Sequence, residues 1–477
     1  MRMIRPRRFT SRGLPWMMVL STSCARNDAV AMHDSPALTD SGEDSAIDSG
    51  VPNQTQYLTD VDASFVLADV VPTGPIANLD TDGTADLVLL GDLAQSRDDR
   101  PAELSGALVL LAGPVTSVRD ASTEHLITGT GVGAPWAQTA ATGAPDGTCC
   151  DLLVATLLEE SLILRFHLPF AAGTPNEAVA SLLFDSDTSA YPLPAAAGDM
   201  NDDGVGDVIV GSSGGAAGTP MWAINGATWH GARMADDVAL AQIRGVTDGA
   251  FIDLGDTNGD GADDFGIGQP DDGFALLFLG PLSGSLTADD AETRVTTHPP
   301  ESGYRCCTPQ AGADIDGDGH SDLLLADPSL DPTNPEEYED EALGLLAVFA
   351  GPLAAGALDL TEGATTTFQC ADRLLLGEDA LLADVTGDGA PDVVARTMIY
   401  GAQSAILAWS EAEPGRMDES SARAVITPEH PDASTNFAER MAGGDVDDDG
   451  VDDLLISRGV STDDSYQMDT LVFLGPI

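Results

Sequence analysis

Residues 314–322 read Asp314-Ile315-Asp316-Gly317-Asp318-Gly319-His320-Ser321-Asp322, and the apolar run Leu323–Leu325 follows at once. Carboxylates stand at positions 1, 3, 5 and 9 of this stretch, with no Arg or Lys among them. Carboxylates this close repel one another in water, whereas a hard cation that prefers oxygen ligands, such as Ca²⁺, relieves the repulsion. Gly319 at position 6 permits a tight bend, and His320 at position 7 would offer its main-chain carbonyl. The stretch therefore predicts a calcium loop.

The predicted loop is not of the EF-hand type. That motif needs a Glu at position 12 and a helix on each side. Position 12 is Leu325, which lies inside a short apolar run typical of a strand. We therefore expect this loop to join two β-strands.

The same pattern recurs along the chain, and each copy is named below by the number of its first residue. Every copy has Gly at position 6 and oxygen-bearing side chains at most of positions 1, 3, 5 and 9, and position 7 is expected to contribute its carbonyl. The copies predict about six Ca²⁺ ions in a structural role, because the protein oxygens of each copy are sufficient to fill the site. The predicted ligands are Asn78, Asp80, Asp82, Thr84 and Asp86; Asp199, Asn201, Asp203, Val205 and Asp207; Asp256, Asn258, Asp260, Ala262 and Asp264; Asp314, Asp316, Asp318, His320 and Asp322; Asp384, Thr386, Asp388, Ala390 and Asp392; and Asp445, Asp447, Asp449, Val451 and Asp453.

The spacing of the copies indicates a repeat. The loops start at 78, 199, 256, 314, 384 and 445, so the first gap is about twice as long as the others. A decayed copy fills that gap over residues 142–151, where positions 1 and 3 are Thr142 and Ala144 and the last carboxylate, Asp151, comes one residue late. This copy is expected to bind calcium poorly or not at all. With it, the chain contains seven units that start 57 to 70 residues apart.

A second sequence motif, called the Gly-Pro phrase below, recurs together with the loops. An apolar run ending in Gly-Pro follows several of them, and a turn and another short apolar segment, such as Thr293–Thr296, come next. One unit thus reads as strand, calcium loop, strand, variable loop, strand, turn, strand. Four strands in about 60 residues are typical of a β-propeller blade. The Gly-Pro phrases are Leu108–Pro114, Leu276–Pro281, Ala347–Pro352 and Val472–Pro476.

The two ends of the chain together make one unit. After Asp445 only 32 residues remain, enough for two further strands, and 26 residues lie between Pro52 and Asn78. The segment Ser64–Ala68 is therefore expected to be the outer strand of the last blade and to pair with Leu471–Leu474. The resulting prediction is an all-β, seven-bladed propeller whose last blade is closed by an N-terminal strand, which leaves no open sheet edge at the ends of the chain.

The repeats resemble the FG-GAP repeats of integrin α-chain propellers and their bacterial relatives. The match covers about residues 57–477, and the D-x-[DN]-x-D-G-x-x-D loops carry it. The Phe-Gly element is not evident in its usual place, and the Gly-Ala-Pro element survives only as Gly268-Gln269-Pro270 or Ala326-Asp327-Pro328. The resemblance implies a calcium-binding propeller, but it does not carry over the choice of ligand.

The amino terminus has the pattern of an export signal. An Arg-rich start precedes the apolar segment Leu14–Leu20 and the small residues Ser21–Ser23. We expect a signal peptide at 1–23, a disordered acidic tether at 24–56 and the propeller at 57–477. The protein is therefore expected to be secreted or held in the cell envelope. Cys24 is a candidate lipid acceptor, which makes an outer-membrane lipoprotein the alternative to a released form. No later run approaches the ~20 apolar residues that span a bilayer.

Charge and loop length suggest where partners bind. The net charge of −58 repels nucleic acids, so none is expected as a partner. The long variable loops would share the face opposite the calcium loops, and variable loops on a rigid scaffold usually carry binding, so a protein or glycan ligand is expected there. The loops are Gly91–Ser105, His298–Gln310 and Pro328–Glu341, with Arg97, Arg100, Tyr304, Arg305 and Tyr338 as candidate contacts.

Catalysis receives little support from the sequence. The seven His form no HExxH motif, and neither Gly-x-Ser-x-Gly nor a phosphate-binding loop is present. The leading hypothesis is an exported calcium-binding module for binding or adhesion. The alternatives are a polysaccharide lyase or hydrolase on the same propeller and a purely structural envelope protein. Two further expectations are a disulfide between Cys370 and Cys306 or Cys307, and core packing rather than sugar binding for Trp136, Trp222, Trp229 and Trp409.

Overall fold

In the computed structural model, nearly all the regular secondary structure of the described residues is β-strand. No described helix is both long and apolar enough to cross a bilayer. The described residues are 55–68, 70–72, 76, 84–91, 108–117, 125–127, 139–142, 151–157, 161–167, 180–184, 191–196, 198–213, 220–246, 251–269, 273–296, 308–330, 343–353, 355–370, 373–399, 403–410, 414–429, 434–435, 437–462 and 465–477.

The described strands form seven sheets, numbered here along the chain. Sheet 1 contains Val70–Pro72, Leu87–Gly91, Leu108–Leu111 and His125–Ile127; sheet 2, Thr139–Thr142, Asp151–Leu157, Ser161–His167 and Ala180–Leu183; sheet 3, Tyr191–Ala196, Val208–Ser213, Met221–Ile224 and Ala239–Arg244; sheet 4, Phe251–Gly255, Asp264–Gln269, Phe274–Phe278 and Thr293–Thr296; sheet 5, Thr308–Ala313, Asp322–Asp327, Leu345–Phe349 and Thr366–Gln369; sheet 6, Arg373–Leu374, Ala380–Ala383, Asp392–Ile399, Gln403–Trp409 and Ala424–Thr427; and sheet 7, Ser434–Thr435, Met441–Gly444, Asp453–Thr462, Ser465–Phe473 and Phe65–Leu67.

Within each sheet, four successive strands pair antiparallel, as the repeat predicts. In sheet 5, for example, Leu323 lies opposite Phe349 across the second and third strands. The calcium loops join the first strand to the second in every sheet where they are described. Helical structure is confined to one short helix and two 3₁₀ turns among the described residues, Ala235–Val238, Ala288–Asp290 and Glu419–Ser421.

Five sheets carry an additional strand that the sequence does not predict, and it pairs in parallel with the last antiparallel strand of the sheet. In sheets 2 to 5 it comes from the turn between the third and fourth strands of the next unit, and in sheet 6 it comes from the N-terminal segment. These segments are short and mostly exposed, so they lack the apolar period that marks the other strands. The added strands are Gly231–Met234 on sheet 2, Gly284–Thr287 on sheet 3, Gly356–Asp359 on sheet 4, Gly415–Asp418 on sheet 5 and Gln56–Thr59 on sheet 6.

The apolar runs after the calcium loops are buried on both faces of their sheets. Leu323 and Leu325 pack in a cluster with sheet 4, whereas Leu324 and Ala326 pack in a cluster with sheet 6. Side chains alternate across a strand, so a sheet enclosed between two neighbours needs a continuous apolar run. Similar clusters join sheets 2 and 3, 3 and 4, 6 and 7, and also 7 and 1.

The N-terminal segment occupies the place of the missing half of the last unit. Phe65–Leu67 pairs antiparallel with the carboxyl-terminal strand, with Phe65 opposite Val472, as expected for Ser64–Ala68. Gln56–Thr59 supplies the parallel edge strand of sheet 6. Asp60 then forms an ion pair with Arg458 of sheet 7 at 3.0 Å and accepts the main-chain N–H of Glu429 at 2.8 Å. The two ends of the chain are therefore joined by backbone pairing and by a charged contact.

Candidate metal centre

Five of the predicted calcium loops are fully described, and they share one hydrogen-bond pattern. The position-1 carboxylate accepts the main-chain N–H groups of positions 5 and 6; in the 314 loop, Asp318 and Gly319 donate to the two oxygens of Asp314 at 3.0 and 2.9 Å. The position-5 carboxylate accepts the N–H of position 7, as Asp318 does from His320 at 2.9 Å. The 199, 256, 384 and 445 loops repeat these bonds within 2.6–3.1 Å. The spacing read from the sequence thus corresponds to one backbone conformation.

Two positions in each loop adopt left-handed backbone angles. Position 6 is Gly in all five, with φ from 84° to 96°. Position 4 is also left-handed, and it is Gly in three loops and Asp202 or Asp448 in the other two, with φ of 57° and 65°. Gly and, less readily, Asp or Asn tolerate this region. The sequence analysis identified the requirement at position 6 but missed the one at position 4.

The position-9 carboxylate is the buried member of each loop. Asp207, Asp264, Asp322, Asp392 and Asp453 are all fully buried at the start of the second strand. One carboxylate oxygen accepts a donor from position 2 or 3 of the same loop, such as the N–H of Val446 at 2.8 Å from Asp453. Burial raises the pKa of Asp207 and Asp392 to about 7 and that of Asp264 and Asp453 to about 6, and it also raises the pKa of Asp322.

The Gly-Pro phrase proves to be part of the loop's support. The other oxygen of the position-9 carboxylate accepts the N–H of the glycine in that phrase, at 2.7–2.9 Å from Gly113, Gly280, Gly351 and Gly475. A Cβ on Gly351 would lie 2.8 Å from the Cβ of His320 and from the carbonyl oxygen of Ser321. The four Gly–Pro bonds are cis. The sequence analysis used the phrase only to locate a strand, although its recurrence with the loops was a signal of this contact.

Carboxylates converge most closely in the two loops that have Asp at all four ligand positions. One oxygen each from Asp314, Asp316 and Asp322 lies within 4.8 Å of the others, and Asp445, Asp447 and Asp453 form a second such group. In the five fully described loops, none of these carboxylates is paired with an Arg. Oδ1 of Asp447 is buried without a hydrogen-bond partner, and burial together with the neighbouring Asp449 and Asp445 raises the pKa of this carboxyl.

This donor set fits a calcium ion. The side chains offer only oxygen, which a hard cation prefers, and an orphaned buried oxygen such as that of Asp447 is costly unless it acquires a partner. The carboxylates at positions 1, 5 and 9 all accept N–H donors, so a bound ion would use the remaining lone pairs of their oxygens. A bound Ca²⁺ would supply the positive charge that the loop lacks.

Some predicted features fall outside the described residues. They include Asn78, Asp80 and Asp82 of the first loop, most of the decayed loop at 142–151, residues 1–54 with Cys24, and all five candidate contacts on the opposite face. Thr84 and Asp86 are described, and Asp86 is buried. Trp222, Trp229 and Trp409 are buried as expected. Cys370 is buried, while its predicted partners Cys306 and Cys307 lie outside the described part of the chain.

Position 8 joins neighbouring loops, a role that the sequence analysis did not assign. Asp263 of the 256 loop accepts the N–H of Asp199 at 2.6 Å and donates its own N–H to the carbonyl of Asp199 at 3.0 Å. Asp452 of the 445 loop makes the same two bonds to Asp384, at 2.8 and 2.9 Å. Neither position 8 carboxylate belongs to the predicted ligand set.

Comparisons with known proteins give only remote similarities. No family model matches the chain, and no curated protein matches it. Among solved structures, "BBS1N in complex with ARL6DN", soaked with mercury, is 14% identical with a TM-score of 0.43, over 86% of this chain and 94% of that one. The same complex soaked with lead gives 13% identity and a TM-score of 0.42, over 86% and 96% of the two chains. Similarity at this level does not define the fold, which rests on the sheet topology above.

Proposed function

We propose that residues 57–477 form a seven-bladed β-propeller of the FG-GAP type, closed by the N-terminal strand. Three observations support this architecture. The described strands make seven sheets, the first strands of sheets 2 to 7 contact those of their neighbours, and apolar clusters lie between successive sheets from 2 to 7 and between sheets 7 and 1. Val115 of the first unit also donates its N–H to the carbonyl of Val446 in the last loop, at 2.6 Å.

We further propose that the loops bind about six Ca²⁺ ions in a structural role. The observation that carries this proposal is the shared geometry of the five described loops, in which positions 1 and 5 keep the same main-chain partners and position 9 stays buried although the intervening residues differ. Each loop connects the first two strands of a sheet and lies next to the end of the third strand. Calcium would therefore hold the strands of one blade together at that face. Affinities of ~10⁻⁴–10⁻³ M are expected, as in other extracellular calcium modules.

As the biological role, we propose an exported module that binds a protein or glycan at the cell surface through the face opposite the calcium loops. The export-like amino terminus and the candidate lipid acceptor Cys24 favour a secreted or cell-envelope location. A scaffold stabilised by metal at one face can present variable loops at the other, where binding usually resides. The surface charge of −58 favours partners with basic patches over anionic ones.

Metal counting and ligand arrays test the two halves of the proposal separately. Elemental analysis and native mass spectrometry of the full chain in calcium should give about six bound ions, and calcium should raise the melting temperature. Failure of calcium to bind or to stabilise the fold would refute the metal proposal. Protein and glycan arrays should then detect binding that truncation of the Pro328–Glu341 loop abolishes while calcium binding persists; arrays that stay blank would refute the binding role.

A further inference from the structure

Backbone hydrogen bonds run between neighbouring calcium loops. In addition to the position-8 contacts, the residue after each described Gly-Pro pair donates its N–H to the carbonyl of position 2 in the preceding loop. Leu282 donates to Met200 at 3.1 Å, and Leu353 donates to Thr257 at 2.9 Å. Ile477 makes the same contact with Val385 at 2.9 Å. Each loop is thus tied to the next at the two residues that open its ligand sequence.

These ties are interrupted between the 314 and 384 loops. Position 8 of the 384 loop is Pro391, which has no N–H to donate to the carbonyl of Asp314. The third strand of sheet 6 ends at Trp409 and is followed by Ser410-Glu411, so the sequence lacks a Gly-Pro phrase there. Among the described residues no backbone hydrogen bond joins these two loops, whereas Ser321 still donates to the carbonyl of Asp256 at 3.4 Å on the other side.

The loops therefore fall into two arcs. The first arc comprises the 199, 256 and 314 loops. The second comprises the 384 and 445 loops and continues to the first unit through the contact between Val115 and Val446.

We propose that calcium binding is positively cooperative within each arc and independent between the arcs; this proposal rests on the calcium binding proposed above. The physical reason lies in the position of the ties. Asp263 stands between the predicted ligands Ala262 and Asp264, so an ion that holds those residues also fixes Asp263. Because Asp263 bonds both the N–H and the carbonyl of Asp199, it fixes the first ligand of the neighbouring loop. The entropic cost of ordering this shared backbone is incurred when the first ion binds, so the second ion binds more tightly.

Calcium titrations followed by hydrogen–deuterium exchange of each loop peptide test the proposal on the full chain. Asp260→Ala and Asp388→Ala form a matched pair, because each removes the exposed position-5 ligand of one loop. Asp260→Ala should raise the calcium midpoints of the 199 and 314 loops about fivefold or more, which is the lower end of typical couplings, and leave the 384 and 445 loops unchanged. Asp388→Ala should raise the midpoint of the 445 loop and leave the 314 loop unchanged.

Two further variants probe the ties themselves. Asp263→Ala should weaken the coupling between the 199 and 256 loops, because it removes the side-chain tie and leaves the two main-chain ties. Asp263→Asn, which loses the same charge but keeps an acceptor oxygen, should preserve the coupling. Pro391→Asp restores the N–H and the carboxylate found at Asp263 and Asp452, and it should extend coupling across the junction between the arcs.

The outcomes separate this proposal from the one on which it depends. If the wild-type loops show calcium-dependent protection but a variant shifts the calcium midpoints of all the loops equally, or of none, the two-arc coupling is overturned and calcium binding stands. If the wild-type loops show no calcium-dependent protection, the calcium proposal itself fails, and the coupling fails with it.

Discussion

Replacing Asp453 by Asn is expected to destabilise the calcium-free protein more than replacing Asp392 by Asn. Both residues are the buried position-9 carboxylates of their loops. Asp453 accepts two main-chain N–H groups, from Val446 and from Gly475, each at 2.8 Å. Asp392 accepts one N–H and one hydroxyl, both from Thr386, at 2.8 and 3.1 Å. An Asn side chain has one acceptor and one donor group, so it can satisfy Thr386, whose hydroxyl can accept, but it cannot satisfy two N–H donors.

The expected difference follows from the unsatisfied donor. A buried N–H left without an acceptor costs about 1–3 kcal/mol, and only Asp453→Asn creates one. Burial raises the pKa of Asp392 to about 7 and that of Asp453 to about 6, so removing the charge relieves more burial cost at Asp392 and widens the gap. In calcium, each variant also loses one site, worth about 2.7 kcal/mol when calcium is in 100-fold excess over the dissociation constant.

Urea unfolding at pH 8 measures both effects. In calcium-free buffer Asp453→Asn should be less stable than Asp392→Asn by about 1–3 kcal/mol, whereas the loss of calcium-dependent stabilisation should be similar in the two variants. Equal stabilities in calcium-free buffer would refute the assigned roles of the two N–H donors. A full calcium response in either variant would refute the placement of the ion at that loop.

Three further outcomes are expected. In calcium-free buffer the stability of the wild type should fall as the pH rises from about 4 to about 7, because Asp392 has a pKa of about 7 in the folded state and of 3.8 when unfolded. Between pH 5 and pH 8, the change in the free energy of unfolding should be smaller for Asp392→Asn than for the wild type. Gly475→Ala should lower the melting temperature with a cost of about 1–3 kcal/mol, because the new Cβ would lie 2.5 Å from the position-7 side chain, and an unchanged melting curve would contradict the close approach. Asp60→Asn should cost about 1.5–3 kcal/mol and expose the N-terminal strands to hydrogen exchange, because it weakens the buried contact with Arg458, whereas the exposed Asp62→Asn should have a smaller effect; equal protection in both variants would count against this anchoring.

The calcium loops and the main strands could be read from the sequence because their signals are local. The continuous apolar run Leu323–Leu325 indicates a buried strand, and the loop pattern at 314–322 depends on residues within nine positions of one another. The pairing of Ser64–Ala68 with the carboxyl-terminal strand was also accessible, because the repeat length leaves the last unit incomplete. The added parallel strand of five sheets was not accessible, since exposed segments such as Gly284–Thr287 have no apolar period and find their partner in another unit.

The amino-acid sequence by itself determined which residues can surround an ion, where strands begin, and how many units the chain contains. Only the tertiary structure decided what each loop touches. Gly351 and Gly475 donate to carboxylates 29 and 22 residues away, and Asp263 bonds to Asp199, which is 64 residues away. The bond that Pro391 cannot make would also join two loops that are distant in the chain. Apart from the recurrence of the Gly-Pro phrase, such contacts leave no period or spacing in the sequence, because their partners are set by the packing of strands and sheets against one another.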